Sequence, residues 1–114
     1  MVLFLNRVFN KILREWRKKV FRAYTKNKKV NVSILGKITL INPNIKVGKN
    51  VTFYPDVMFF GDGLISIGDN VTLADRILIQ NTTLVQIGSN SIISQGTYLC
   101  AGSHDIYKET FDTI

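Results

Sequence analysis

The chain has 114 residues, of which 46% are hydrophobic, with a formal net charge of +7 and a single cysteine. This length suits one domain, the composition is that of a globular protein, and one cysteine excludes an internal disulfide bond. No apolar run reaches the roughly 18 to 20 residues of a membrane span, and the start of the chain lacks a signal-peptide pattern, so we expect a cytoplasmic protein.

The positive charge is concentrated near the N-terminus. Residues 1–30 contain ten Lys or Arg and one acidic residue, whereas residues 31–114 contain five basic and seven acidic residues. The composition changes near Lys28-Lys29. We therefore divide the chain into an N-terminal element of residues 1–29 and a body of residues 30–114.

The first element, Val2 to Tyr24, is predicted to be a basic amphipathic α-helix, because it contains no Gly or Pro and repeats at helical spacing. Apolar residues three or four positions apart form one face, called here the apolar stripe: Leu5, Phe9, Ile12, Trp16 and Val20. Basic residues at similar spacing form a second face, called here the basic face: Arg7, Lys11, Arg14, Lys18 and Arg22. The helix is expected to end near Thr25-Lys26-Asn27.

Three interpretations of this helix differ in what the two faces contact. In the first, the apolar stripe packs as a lid over one end of the body. In the second, residues 2–24 lie peripherally on the inner face of a membrane, with the basic face toward anionic headgroups. The third is nucleic-acid binding, which we do not expect because nothing beyond charge supports it. We favour the lid and keep membrane contact as the alternative.

The body contains a repeat of twenty residues. Residues 47–50, 67–70 and 87–90 share the pattern aliphatic-Gly-x-Asn. A fixed period of this length is typical of stacked repeat architectures. The body is therefore expected to be built from coils of about twenty residues.

Each repeat divides into groups of six. From Leu35, an aliphatic or aromatic residue returns every six positions, with two extra residues after the groups that begin at Phe59 and Ile79. This period, with β-branched residues frequent at position five, predicts short strands joined by tight corners, three to a triangular coil. Gly and Asn would supply special corner conformations, and position one would fill a shared core. We predict three to four parallel coils, mainly β, preceded by the α-helix.

The hexads and the stretch ISQGTYLCAGSHDIYKETFD (residues 93–112) resemble the hexapeptide-repeat acyltransferases, nearest to sugar O-acetyltransferases of the colanic-acid and maltose type. The resemblance covers approximately residues 30–114. It implies a left-handed parallel β-helix, and the handedness is taken from the resemblance alone. It also implies a homotrimer that moves an acetyl group from acetyl-CoA to a sugar or polysaccharide hydroxyl in surface-polysaccharide synthesis.

The Gly-Ser-His-Asp stretch contains the candidate site. The resemblance makes His104 the general base. Its neighbours Ser103 and Asp105 are candidates for supporting, orienting roles. Independently, His104 is the only histidine in the chain, and histidine is the side chain whose ordinary pKa suits proton transfer near neutral pH. Two alternatives stay open: a lone surface histidine is often inert, and Asp105 can be a solvated turn residue.

Other residues are given lesser roles. Asn81, beside the inserted corner, is a weak candidate for holding the acceptor hydroxyl, with a corner asparagine as the alternative. Cys100 is expected to be structural, because no basic neighbour supports a reactive thiolate. A group of aromatic and sulfur-containing side chains is expected to lie partly at a subunit contact: Phe53, Tyr54, Met58, Phe59 and Phe60.

Two departures bear on function. The related enzymes continue after the histidine loop with further coils that line the CoA groove, whereas this sequence reaches Ile114 inside that loop. We therefore expect an incomplete β-helix and leave acetyl-CoA binding unassigned. One histidine also cannot build the three-histidine metal site of γ-type carbonic anhydrases, so no metal is expected. The main expectation is an acetyl-CoA-dependent O-acetyltransferase; the alternative is a non-catalytic, truncated β-helical scaffold tethered by its basic helix.

Overall fold

The computed structural model describes residues 2–27 and 30–102. Within these residues it contains one α-helix, α1 (Val2–Thr25), and eleven short β-strands. The strands in chain order are β1 (Val32–Ile34), β2 (Ile38–Leu40), β3 (Ile45–Val47), β4 (Val51–Phe53), β5 (Val57–Gly61), β6 (Ile65–Ile67), β7 (Thr72–Leu73), β8 (Leu78–Asn81), β9 (Val85–Ile87), β10 (Ile92–Ile93) and β11 (Tyr98–Ala101).

The strands form three parallel sheets, which are the three sides of a coil. Their orders are β1-β4-β7-β10, β2-β5-β8-β11 and β3-β6-β9, so each strand pairs with the strand three places later. Three consecutive strands make one coil, and about four coils are stacked in the described part of the chain. The predicted parallel β-helix behind an N-terminal helix is confirmed, while its left-handedness stays a prediction.

The core lies inside the coils because strands direct alternate side chains inward. In β4, Val51 and Phe53 are buried while Thr52 between them is partly exposed, and β3 and β6 alternate in the same way. Successive coils are stacked at the ordinary strand spacing of about 4.8 Å, so inward side chains contact those of the next coil. The result is one apolar column running along the axis of the stack.

The register of the first coil differs from the prediction. Strand partners are 20 residues apart from β3 onward, but β1 and β2 lie opposite strands only 19 residues along. The corner at residues 41–44 has four residues between inward side chains, where the same corner of later coils has five. Because a one-residue shift reverses every side chain of a strand, Leu35 and Ile41, predicted as core, are 37% and 56% exposed, and Ile34 and Leu40 point inward instead.

The asparagines of the repeated Gly-x-Asn corner have the predicted special conformation. Asn50, Asn70 and Asn90 have φ values of 59°, 57° and 63°. Their side chains also form a ladder: the Asn50 amide donates a hydrogen bond to Asn70 Oδ1 (2.9 Å), and the Asn70 amide donates to Asn90 Oδ1 (3.2 Å). Asparagine therefore serves both the backbone turn and the contact between coils at this corner.

The glycines of the same corner have a different role from the one predicted. None of Gly48, Gly68 and Gly88 has a positive φ. A Cβ on Gly68 would lie 2.5 Å from Ser89 Oγ and 2.7 Å from Ser89 N, and a Cβ on Gly48 would lie 2.8 Å from the carbonyl carbon of Gly68. Glycine is required because stacked corners approach too closely for a side chain. At Gly88, where no described coil follows, the nearest such atom is 4.0 Å away.

The helix ends in a hydrogen-bonded turn that joins it to the body. Lys26 has a φ of 61°, and the Asn27 N–H donates to the Arg22 carbonyl oxygen (3.1 Å), the pattern of a Schellman C-cap. The Asn27 side chain donates to the carbonyl oxygen of Ile45 (2.6 Å), and the Tyr24 hydroxyl donates to that of Ile41 (3.2 Å). These bonds fix the C-terminal end of α1 on the first coil.

The helix does cover one end of the core, but not with the predicted face. Phe21, which is outside the apolar stripe, is fully buried, and its ring meets Phe53 edge-on at a centroid distance of 5.4 Å. Phe53 contacts Phe59 in the same way at 5.4 Å. The expectation that the stripe forms the lid is wrong: its residues are 43–60% exposed, with Ile12 at 60% and Val20 at 43%. One aromatic side chain is enough to fill the open end of so narrow a coil.

Candidate functional site

The predicted catalytic residues Ser103, His104 and Asp105 lie outside the described residues. The described chain fixes the position from which their segment continues. Strand β11 ends at Ala101, which is the register partner of Asn81, and the Thr82 N–H donates to the Ala101 carbonyl oxygen (2.8 Å). The described chain therefore ends beside residues 81–84, called here the insertion corner because five residues separate the inward side chains of Ile79 and Val85, two more than at the neighbouring corner between Leu73 and Ile77.

Gly102 is packed directly on this corner. A Cβ at Gly102 would lie 1.8 Å from Thr82 Oγ1 and 2.9 Å from Thr82 N, and the φ of Gly102 is 129°. Both the space and the backbone angle require glycine here. The glycine of the Gly-Ser-His-Asp motif thus has a structural role: because it lacks a side chain, it can pack against Thr82 at the insertion corner.

Asn81 lies at the insertion corner, and its side-chain amide and oxygen are hydrogen-bonded within the stack. It is 1% exposed, and its amide donates to the carbonyl oxygens of Leu64 (3.2 Å) and Thr83 (2.9 Å). Its Oδ1 accepts a hydrogen bond from the Asn42 amide (3.2 Å). An acceptor hydroxyl could reach Asn81 only by displacing these bonds, so the geometry favours the alternative of a corner asparagine.

Asn42 is a partner of this network that the sequence analysis did not identify. It is fully buried, its amide donates to the Gly63 carbonyl oxygen (2.9 Å), and its Oδ1 accepts from the Asn44 N–H (2.8 Å). Buried polar groups need such partners because an unpaired one costs about 1–3 kcal/mol. The available signal is an asparagine at the same corner two coils before the insertion corner, displaced by the one-residue register shift.

Cys100 does not have the structural role expected for it. Its thiol is free and the residue is exposed on the outer face of β11, opposite Gln80. Among residues 2–27 and 30–102, no group of three or more His, Cys, Asp or Glu side chains is placed to hold a metal ion. The outer face of β11 therefore carries an accessible thiol rather than a packed sulfur atom.

The aromatic group expected at a subunit contact is divided between two environments. Phe53 and Phe59 are fully buried in the coil. Tyr54 is 41% exposed, and Met58 and Phe60 are partly exposed on the outside of the stack. Only the latter three are accessible to a neighbouring subunit, and the trimer stays a prediction.

The basic face of α1 borders a groove against the first coil. The groove has a volume of about 480 Å³ and is lined by helix side chains and by strand β1: Arg7, Lys11, Arg14, Glu15, Lys18, Val32, Ser33 and Ile34. Within the described residues, the one ion pair closer than 4 Å joins Arg76 to Asp75, so no cation of α1 is neutralised by a carboxylate. In the described residues this groove is therefore strongly basic, with four Lys or Arg side chains against the one carboxylate of Glu15.

The apolar stripe continues into a second groove. Trp16 and Val20, together with Leu13, border the partly buried Ile38 and Leu40 of β2 around a volume of about 450 Å³. Toward the N-terminus, all residues from Val2 to Ile12 are exposed. In the described chain no helix combines the length and apolarity needed to cross a membrane.

Comparisons with protein-family models, with curated proteins and with solved structures found no match for this chain. The assignment of a function accordingly depends on the fold, on the insertion corner and on the motif that follows it.

Proposed function

We propose that this chain is an acyltransferase that moves an acetyl group from acetyl-CoA to a sugar hydroxyl in surface-polysaccharide synthesis, with His104 as the general base. The proposal joins the resemblance of residues 30–114 to the parallel β-helix found in the structure. One observation carries it: the segment with the only histidine of the chain continues from Gly102, which is seated on the insertion corner.

That position suits catalysis for a physical reason. The coils are held by hydrogen bonds on all three sides and by a continuous apolar core, so they form a rigid support. Functional side chains are commonly placed on loops that such a scaffold holds. The insertion corner departs from the regular hexads, and it stacks directly below the chain that leads to His104.

The proposed reaction is a direct transfer. His104 removes the proton of the sugar hydroxyl as its oxygen attacks the thioester carbonyl carbon, and backbone N–H groups stabilise the oxyanion. The carbon–sulfur bond then breaks, and the imidazolium returns its proton to the CoA thiolate. Ser103 and Asp105 would orient the imidazole. No described residue is assigned to acetyl-CoA.

The test is thiol release from acetyl-CoA in the presence of a panel of sugars. Because Cys100 is exposed and would itself react with a thiol reagent, Cys100→Ser is the reference protein. In this background His104→Ala should lower the rate at least a hundredfold, the usual minimum for removing a general base. Lys46→Ala, an exposed residue on another side of the coil, is the control and should leave the rate unchanged.

The alternative of a non-catalytic β-helical scaffold predicts a different result. A scaffold would release no thiol above background with any sugar, and His104→Ala would change nothing. Circular dichroism of both variants excludes unfolding as the cause of a lost rate.

A further inference from the structure

We propose that α1 docks on a bilayer that carries anionic headgroups, with its apolar stripe inserted at the interface. This surface is separate from the insertion corner, so the proposal does not depend on acetyl transfer. It is argued from exposure, from the side of the helix that meets the body, and from charge.

The first observation is the extent of exposed apolar surface on α1. Leu5, Phe9 and Ile12 are each 59–60% exposed, and Leu3 and Phe4 at the start of the helix are 74% and 66% exposed. Contiguous apolar surface of this kind is uncommon on a soluble protein and marks an interaction site. The stripe therefore needs a partner that the described chain does not provide.

The second observation is the direction of the stripe. The body contacts α1 through Phe21 and Thr25, which are buried, and lies beside Arg7 and Arg14 of the basic face. At 100° per residue, these positions are on the opposite side of the helix from Phe9 and the rest of the stripe. Trp16 and Val20 at the C-terminal end of the stripe border β2. The exposed part from Leu5 to Ile12 can thus lie on a surface, with the β-helix on the far side of the helix.

The third observation is charge, which decides between partners. Residues 2–25 contain seven Lys or Arg and one Glu, a net charge of +6, and none of these cations is paired with a carboxylate in the described chain. Two copies packed stripe to stripe would bring two such helices together, whereas an anionic bilayer would neutralise them. Trp16, the fourth of the five stripe residues, is of a type enriched at the headgroup level.

The experiment uses the full chain and its single tryptophan, Trp16, as the reporter. Vesicles of phosphatidylcholine alone are compared with vesicles that also contain phosphatidylglycerol. We expect a blue-shifted Trp16 emission and co-sedimentation only with the anionic vesicles. Both signals should weaken from 0.1 M to 1 M salt, as the screening length falls from about 10 Å to about 3 Å.

Matched variants test whether vesicle binding depends on the stripe or on any exposed apolar or basic side chain. Ile12→Ser removes an exposed isoleucine of the stripe, and Ile92→Ser removes one that is 77% exposed on β10. We expect Ile12→Ser to weaken vesicle binding roughly tenfold or more and Ile92→Ser to leave it unchanged. Lys19→Gln, beside the stripe, should weaken it roughly fivefold, and Lys49→Gln on the body should not.

Several outcomes would overturn the proposal. Absence of a shift with anionic vesicles, or equal binding to neutral ones, contradicts it directly. A blue shift in buffer that grows with protein concentration would show that a second copy covers the stripe. Because Trp16 is half-exposed beside β2, its emission in buffer should lie redder than with anionic vesicles; an equally blue emission in buffer at every protein concentration would show that the chain itself covers the stripe. If each variant and its control lost the same amount of vesicle binding, the membrane contact would lie outside the stripe.

Discussion

Alanine at Gly68 and at Gly88 should have opposite effects on stability, although the two glycines occupy the same position of the repeat. If the repeated glycine were needed for its backbone conformation, both substitutions would cost the same. In the structure neither glycine has a positive φ, and the difference lies in what an added Cβ would meet. At Gly68 it would meet the next coil, and at Gly88 no atom of the described residues would lie closer than 4.0 Å.

The magnitude follows from the distances. A Cβ on Gly68 would lie 2.5 Å from Ser89 Oγ and 3.0 Å from Ser89 Cα, well inside van der Waals contact. Relief requires the corner to move by roughly 1 Å, at the usual overpacking cost of about 1–3 kcal/mol. The movement also weakens two hydrogen bonds between the coils: the Gly68 N–H donates to the Ile87 carbonyl oxygen (2.9 Å), and the Asp69 N–H donates to Ser89 Oγ (2.9 Å). We expect Gly68→Ala to lower the free energy of unfolding by about 2–4 kcal/mol.

Gly88→Ala should instead leave stability unchanged or raise it by about 0.4–1 kcal/mol, because alanine restricts the unfolded chain. Urea unfolding followed by circular dichroism measures both values, and an unchanged slope with denaturant shows that the unfolded states are comparable. Equal losses at the two positions, or no loss at Gly68, would refute the close-approach explanation.

Three further substitutions test the packing of the fold. In a denaturant titration, Phe21→Ala should lower the free energy of unfolding by about 3–5 kcal/mol, because it empties the end of the core. Phe9→Ala on the exposed stripe is the control and should cost under about 0.5 kcal/mol. Similar losses in the two variants would contradict the assignment of Phe21 as the lid. Asn81→Ala should lower the free energy of unfolding by about 2–3 kcal/mol, because it leaves buried partners including Asn42 without a hydrogen bond. A variant whose thermal unfolding midpoint equals that of the wild type would argue against this network. Gly96 has a φ of 75°, and no atom of the described residues lies within 4 Å of an added Cβ. Gly96→Ala should therefore cost about 1 kcal/mol through the backbone alone, and a cost near zero in the denaturant titration would show that this corner relaxes.

The regular part of the fold could be predicted because it is encoded locally. From Val47 onward, spacing by six and twenty places inward side chains in the observed register, and the helix, predicted over residues 2–24, ends at Thr25. The register of the first coil could not be predicted, because Leu35 and Ile41 fit the six-residue pattern as well as Ile34 and Leu40 do. Only the pairing with the second coil, 19 residues along, distinguishes them.

The candidate site was less predictable because its contacts are distant in sequence. Asn81 is bonded to Asn42, 39 residues away, and no local pattern indicates that their side chains meet inside the stack. The face that the helix presents to the body likewise depends on the turn at Lys26 and Asn27 rather than on helical periodicity. Helical periodicity predicts which residues form the apolar stripe, but it does not predict which face of the helix packs on the body.

The central claim is the transfer of acetyl to a sugar with His104 as the base, and detection of the product tests it most directly. Isotopically labelled acetyl-CoA is incubated with the Cys100→Ser protein and a panel of sugars, and the sugars are analysed by mass spectrometry; this distinguishes transfer from simple hydrolysis and from acetylation of the protein. The account predicts a labelled O-acetyl sugar that is lost in His104→Ala while the coil fold is retained. A labelled sugar formed equally well by His104→Ala, or no labelled sugar from either protein, would contradict it.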